Sequence, residues 1–184
     1  YDELEIRLIR IKFISEKDTT KLPWKELGID VVVESTGLFT SFDKAKFHLD
    51  CGAKKVVISA PAKGESQTKG ETILLGINEE KFGTTDITSN ASCTTNAAGP
   101  LISILDEAIG VEKAILNTVH RYTATQAIVH GPSKKDLREG RAAAQNIIPS
   151  STGAAIAVTK AFPSLTGLFD GISIRVPVVC GSIV

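Results

Sequence analysis

The sequence predicts an α/β protein, and three observations carry that prediction. Two short β-branched runs, Asp30-Val31-Val32-Val33-Glu34 and Lys54-Lys55-Val56-Val57-Ile58, read as strands buried on both faces of a parallel sheet. Between them residues 42–50 carry Phe42, Ala45 and Leu49 on one helical side, which makes a right-handed βαβ unit whose strand ends open on one crevice. Further on, Asp86-Ile87-Thr88 runs through Ser89-Asn90-Ala91-Ser92-Cys93-Thr94-Thr95-Asn96 into a helical pattern of Leu101, Ile102, Ile104, Leu105, Ala108 and Ile109.

Taken in order, residues 6–14 alternate apolar positions with Arg7, Arg10 and Lys12, the pattern of a half-exposed strand with solvated cations. After Lys21-Leu22-Pro23-Trp24 a short helix runs to Leu27 and closes on Gly28, with Trp24 a packing residue. Small residues follow each buried strand, Ser35-Thr36-Gly37 after the first and Ser59-Ala60-Pro61 after the second, so a ligand can approach the backbone there. Ser41 is the N-cap of the 42–50 helix, Cys51 and Gly52 end it, and His48 and Cys51 are structural. Residues 64–70 form a surface loop, 72–78 a strand, 78–82 a helical turn, and 86–89 the last strand of this half.

Cys93 then sits at a strand-to-helix turn, where backbone N–H groups and the helix dipole favour negative charge on the sulfur. A thiolate needs a proton partner. A helix from Thr94 to Ile109 is roughly 24 Å long, and after Gly110 a strand over 114–120 returns roughly 23 Å. His120, 27 positions after Cys93, therefore comes back to the level of the sulfur, at the end of a parallel strand. A second polar set follows: Thr123, Thr125, Gln126, Ser150, Ser151, Thr152-Gly153 and Arg175. Residues 121–140, with Gly131-Pro132-Ser133-Lys134-Lys135-Asp136, are too long and polar for a casual connection, and His130 within them is a surface residue. Residues 141–147 read as a helix broken by Pro149, and Thr152-Gly153 leads into a small-residue helix over 154–161, an anion site at a helix N-terminus. In 171–178, Ile172, Ile174 and Val176 face one way and Ser173 and Arg175 the other, the polar face of a strand.

The composition excludes some classes of partner. With 184 residues and zero formal net charge the chain has no bulk attraction for nucleic acid or anionic membranes. Three widely spaced cysteines lack metal-ligand spacing and fit a reducing compartment. No apolar run is long enough for a membrane span, and a cytoplasmic location is expected.

The motifs Pro23-Trp24, Val33-Glu34-Ser35-Thr36-Gly37, Val57-Ile58-Ser59-Ala60-Pro61-Ala62, the cysteine segment, Gln145-Asn146-Ile147-Ile148-Pro149-Ser150-Ser151-Thr152-Gly153-Ala154-Ala155 and Arg175-Val176-Pro177 occur together in one order. In this the sequence resembles the phosphorylating glyceraldehyde-3-phosphate dehydrogenases. The resemblance implies a partial Rossmann-type parallel sheet over 1–92, the later part of an NAD(P)-binding domain, and over 93–184 the first part of an α+β catalytic domain with a mixed sheet. It implies NAD as cofactor, with NADP open, received by Ser35, Thr36, Gly37, Phe39 and Ser59; Pro132 matches the NAD-using members. Glyceraldehyde 3-phosphate and inorganic phosphate are the implied small-molecule partners, and a homotetramer is implied in which the 121–140 loop packs against a neighbouring subunit.

The chemistry implied by the resemblance starts with the Cys93 thiolate adding to the aldehyde, with His120 as ion-pair partner and base. Ser92, Thr94, Thr152 and Gly153 hold the attacking phosphate, and Thr123 and Arg175 hold the substrate's own. Erythrose-4-phosphate dehydrogenase is the rival enzyme, and a non-catalytic paralogue acting as an interaction module is the rival of another class. Two positions depart from the common pattern: Ala97 stands where many members carry a second cysteine, and Arg121 where a small residue is usual. The sequence opens on Tyr1 and shows no Gly-rich phosphate turn, so an internal piece of a longer protein is expected, weak or inactive by itself.

Overall fold

A computed structural model describes residues 2–6, 9–133 and 136–184. Arg7, assigned above to the first strand, and Lys134-Lys135 of the long loop lie outside them. The chain opens with β1 (Asp2–Ile6) and β2 (Ile9–Phe13), an antiparallel pair in register from Asp2↔Phe13 to Ile6↔Ile9. The single strand expected over 6–14 is therefore a hairpin arm that begins at Ile9. No glycine, proline or asparagine punctuates the reversal, so the alternation reads straight through it. Arg10 and Lys12 are exposed, as expected of solvated cations.

The expected helix ending at Leu27 is instead a series of turns, with Leu27 N–H bonding to the Pro23 carbonyl and Ile29 N–H to Trp24. It closes on Gly28, whose φ of 62° only glycine adopts freely. β3 (Val31–Glu34), β4 (Lys55–Ile58), β6 (Ile87–Ser89) and the short β5 (Glu71–Thr72) make one parallel sheet in the order β3-β4-β6-β5. The helix between β3 and β4 is capped by Ser41 and interrupted at Lys46, giving α1 (Phe42–Ala45) and α2 (Phe47–Asp50). Ala45 packs on Val56, Ile58 and Ile87, each nearly or fully buried. Burying a branched aliphatic side chain of this kind contributes roughly 1.5–3 kcal/mol. β3 was expected to be buried on both faces, but Val31 and Val33 are exposed. It is an edge strand, and among the described residues only the Val32 and Glu34 face is covered.

The strand expected over 72–78 stops at Thr72. The Asn78 side chain captures the backbone beyond it, accepting from Leu74 N–H and donating to the Thr72 carbonyl, both at 2.8 Å, and the chain turns. A 3-10 turn, Glu79–Lys81, follows.

α3 (Cys93–Ile109) and α4 (Ala154–Ala161) cover one face of a second, mixed sheet. Its strands β7 (Ala114–Arg121), β8 (Ile148–Ser151), β9 (Phe169–Val176) and β10 (Ser182–Ile183) run in the order β10-β7-β9-β8. β7 and β9 are parallel, whereas β8 and β10 run antiparallel to their neighbours. Ala98 and Ile102 of α3, Ala155 and Val158 of α4, and Leu116 and Phe169 of the sheet form the largest core. The two halves are joined where Leu74 and Ala91 pack on Ala157 and Ala161.

One expectation fails in this half. Residues 141–147 form turns, not a helix, and Pro149 lies inside β8 opposite Ile174. An edge strand tolerates a residue without N–H, and β8 is an edge. The face of β9 that carries Ser173 and Arg175 is turned inward, with Ser173 only 3% exposed and Ile172 on the other face 53% exposed. The helices lie over the face that looks polar in the sequence, because that face also holds Leu116 and Phe169.

Candidate active site

Cys93 opens α3, and the turn before it is tightly specified. Ser92 caps the helix by accepting from Thr95 N–H at 3.1 Å. Asn96 donates back to the carbonyls of Asn90 at 2.7 Å and Ser92 at 2.9 Å. Ala91 holds φ at 55°, a left-handed conformation uncommon outside glycine, so the surrounding packing must enforce it. The thiol at this corner is exposed, with the N-terminal end of α3 behind it.

β7 returns to the same level and delivers His120, 8% exposed, with Nε2 at 3.7 Å from the Cys93 sulfur. The parallel register places His120 directly beside Arg175 of β9, and β10 flanks it through Ser182. Nδ1 of the ring lies 2.7 Å from the Arg121 carbonyl and 2.5 Å from Arg175 Nη1, which itself donates to that carbonyl at 3.1 Å. A carbonyl only accepts and a guanidinium only donates. Nδ1 cannot serve both; when the Arg121 carbonyl takes both donors, Nδ1–H and Arg175 Nη1 meet donor to donor, a contact that must open for this tautomer to hold. The proton then sits on Nδ1 and the lone pair of Nε2 faces the sulfur, ready to receive its proton.

Arg175 is the other distinctive group. Its Nε is buried and has no hydrogen-bond partner among the described residues. Burial pushes the guanidinium below its ordinary value, against the pull of Glu139 and the Cys93 sulfur, and Arg121 adds to the depression. The guanidinium as a whole is half-buried, with Nη1 held by the Arg121 carbonyl. Together with Cys93 and His120 it lines a cavity of about 320 Å³. Ser92, Thr94, Thr123, Thr152 and Gly153, the predicted phosphate residues, line the same cavity, joined by Ser151 of the polar set and by Pro61 after β4. Thr152 Oγ1 accepts from Ala154 N–H at 3.1 Å at the start of α4.

The predicted cofactor residues gather elsewhere, at the carboxyl end of the parallel sheet. Ser59 after β4 donates toward Ser35 Oγ and the Glu34 carbonyl, each 3.1 Å away. Phe39 lies edge-on against Phe47, ring centroids 4.7 Å apart. Gly37 holds φ at 75° with open space beside it, and Ser35 and Thr36 are exposed. Exposed hydroxyls and an open glycine at the end of a parallel strand suit the sugar and adenine side of a dinucleotide. Pro61, just after β4, connects this edge to the thiol cavity.

Two clusters escaped the sequence reading. Glu139 accepts from Gln126 Nε2 at 3.1 Å and Ser150 Oγ at 3.2 Å, and Gln126 in turn holds Thr123 by its amide at 2.9 Å. Glu34, His48 and Trp24 form a buried chain at the end of β3. A carboxylate ending a strand was the only local sign of the second; its partners lie 14 and 24 positions from one another in sequence.

Fold and site together define a class, α/β proteins that present a thiol–imidazole pair beside hydroxyl groups and an arginine at the carboxyl edge of parallel strands. Comparison with known proteins narrows it. The model of the glyceraldehyde 3-phosphate dehydrogenase C-terminal domain matches residues 92–184, and that of the same family's NAD-binding domain matches residues 1–42. The chain is 53% identical over 176 residues to glyceraldehyde-3-phosphate dehydrogenase of Chlamydia trachomatis serovar L2, covering 95% of this chain and 52% of that protein. It is 51% identical over 176 residues to glyceraldehyde-3-phosphate dehydrogenase B of Aspergillus oryzae, covering 96% and 51%. Against the enzyme of the same name from Mycobacterium bovis BCG it is 50% identical over 184 residues, covering 99% and 53%. The chain spans about half the length of the curated relatives it matches. It belongs to the glyceraldehyde 3-phosphate dehydrogenase family of oxidoreductases, and NAD is the cofactor of the domain to which its first residues correspond. Among the described residues no helix is long and apolar enough to cross a membrane.

Proposed function

We propose that the protein containing this chain oxidises glyceraldehyde 3-phosphate with NAD and captures the product on inorganic phosphate, giving 1,3-bisphosphoglycerate through a thioester on Cys93. The observation that carries the reading is the 3.7 Å approach of the Cys93 sulfur to His120 Nε2 beside the unsatisfied Arg175.

His120 Nε2 takes the thiol proton, and the thiolate forms a C–S bond to the aldehyde carbon while the carbonyl electron pair moves onto oxygen. That oxygen takes the proton back from His120, giving a hemithioacetal. NAD, when bound at Ser35, Thr36, Gly37, Phe39 and Ser59, supplies the hydride acceptor. His120 removes the hydroxyl proton as the carbon is oxidised to a thioester. The Cys93 amide at the start of α3 stabilises negative charge on the oxygen. A phosphate oxygen held by Ser92, Thr94, Thr152 and Gly153 attacks the thioester carbon, the C–S bond breaks, and Cys93 leaves as thiolate. Thr123 and Arg175 meanwhile fix the phosphate the substrate brought with it.

We place the division between cofactor and catalytic domains at 92/93. A homotetramer is supported by the outer face of the mixed sheet, where Ile115, Ile172 and Ile183 are 78%, 53% and 74% exposed. In the intact protein iodoacetamide is expected to alkylate Cys93 stoichiometrically, glyceraldehyde 3-phosphate to slow it, and NADH formation to require phosphate or arsenate. Reduction of NAD faster with erythrose 4-phosphate than with glyceraldehyde 3-phosphate would transfer the assignment to the four-carbon substrate. An intact protein that reduces NAD with neither aldehyde would overturn it.

A further inference from the structure

The chain of buried polar groups at the end of β3 takes no part in the chemistry above, yet every one of its members is satisfied in one direction. An indole N–H only donates, so Trp24 Nε1, 3.0 Å from His48 Nδ1, meets a lone pair there. The ring proton of His48 therefore sits on Nε2 and is donated to Glu34 Oε2 at 2.8 Å. The other carboxylate oxygen accepts the Thr36 amide at 2.8 Å and the Thr36 hydroxyl. Thr36 Oγ1 accepts in turn from Leu38 N–H at 3.1 Å. Burial pushes the Glu34 carboxyl up, but the Thr36 and His48 donors outweigh it and the group stays below the ordinary carboxylate range. Glu34 and His48 are 3% and 5% exposed, too deep to touch a ligand. What they do touch is the turn over residues 35–38.

We propose that Glu34 and His48 are positioning residues for the cofactor: the relay from Trp24 through His48 and Glu34 to Thr36 sets the Ser35-Thr36-Gly37 turn in its binding shape before NAD arrives. This rests on the reading above that the turn receives the cofactor. An anchored turn loses less freedom on binding, so the relay acts on affinity and leaves the thiol chemistry alone.

The test measures NAD binding by calorimetry in the intact protein. Glu34→Gln places an amide N–H₂ against either the His48 N–H or the Thr36 donors, and His48→Phe keeps a ring tilted against Phe47 but removes both hydrogen bonds. Each is expected to raise the Kd for NAD about tenfold, the scale of one lost charge-assisted hydrogen bond. The loss should fall on the KM for NAD, with the rate of Cys93 alkylation unchanged. Trp24→Phe, at a part-buried position outside the cofactor turn, removes the first link of the relay and leaves the Glu34–His48 pair in place, so the inference stays testable if the buried variants fail to fold. NAD affinity like that of the unmodified protein in folded Glu34→Gln, or in Trp24→Phe, overturns the proposal. Failure of the unmodified protein to bind NAD overturns the reading beneath it instead.

Discussion

At the carboxyl end of β3 the carboxylate of Glu34 has both oxygens occupied, and its donors are themselves held. At the carboxyl ends of β7 and β9, a comparable position in the second sheet, Arg175 Nε is buried with no partner among the described residues and the Cys93 thiol stands exposed at a helix start. Both regions combine an ionisable group, buried at Glu34 and half-buried at Arg175, with a strand end and a histidine. One is closed on itself and the other is not. A saturated network rigidifies the backbone around it, whereas leaving a buried donor unpaired is tolerated where a ligand completes it. The contrast separates scaffold from site more sharply than residue type does, since each region has its own histidine and its own hydroxyls.

The contrast breaks most visibly if His120 proves dispensable. His120→Asn is expected to lower kcat/KM by roughly two to four orders of magnitude, the usual range for a positioned base, and to slow iodoacetamide alkylation of Cys93. Steady-state kinetics and mass spectrometry read the two effects, and a loss below fivefold would put the 3.7 Å contact outside the mechanism.

Arg175→Leu sharpens it. Removing a charge-assisted phosphate contact should raise KM for the phosphorylated aldehyde roughly 10- to 100-fold. Arg175 Nη1 holds the Arg121 carbonyl while Nε has no partner among the described residues, so its loss should move the urea midpoint little. A large drop in stability would mark Arg175 as scaffold.

The smallest effect is expected at Thr118, whose Oγ1 is also buried with no partner among the described residues but lies inside β7 away from the cavity. Thr118→Val should raise stability by roughly 1 kcal/mol in urea unfolding, since an unpaired buried hydroxyl is exchanged for a methyl group of similar volume. Activity should stay as it was.

Much of this arrangement was legible in the residues, and the reason differs from element to element. The Val-rich runs of β3 and β4, the helix after Cys93 and the helix over 154–161 declare themselves through local pattern. The return of His120 to Cys93 followed from two lengths and a glycine between them. What stayed hidden depends on contacts distant in sequence. The inward turn of Ser173 is decided by α3 and α4 lying over that face, and the break after Thr72 by the side chain of Asn78. Pro149 reads as a helix breaker until β8 is known to be an edge strand. Glu34, His48 and Trp24 find one another only once β3 and α2 are packed.

The acceptor that orients His120 belongs to the main chain, although the residue providing it, Arg121, departs from the small side chain usual in the family. Any amino acid at 121 supplies the same oxygen, so drift in that side chain leaves the tautomer untouched, and alanine scanning would pass over the contact in silence. Only chemistry on the peptide link itself, such as exchanging the Arg121–Tyr122 amide for an ester, weakens the oxygen and lets the imidazole choose its proton anew.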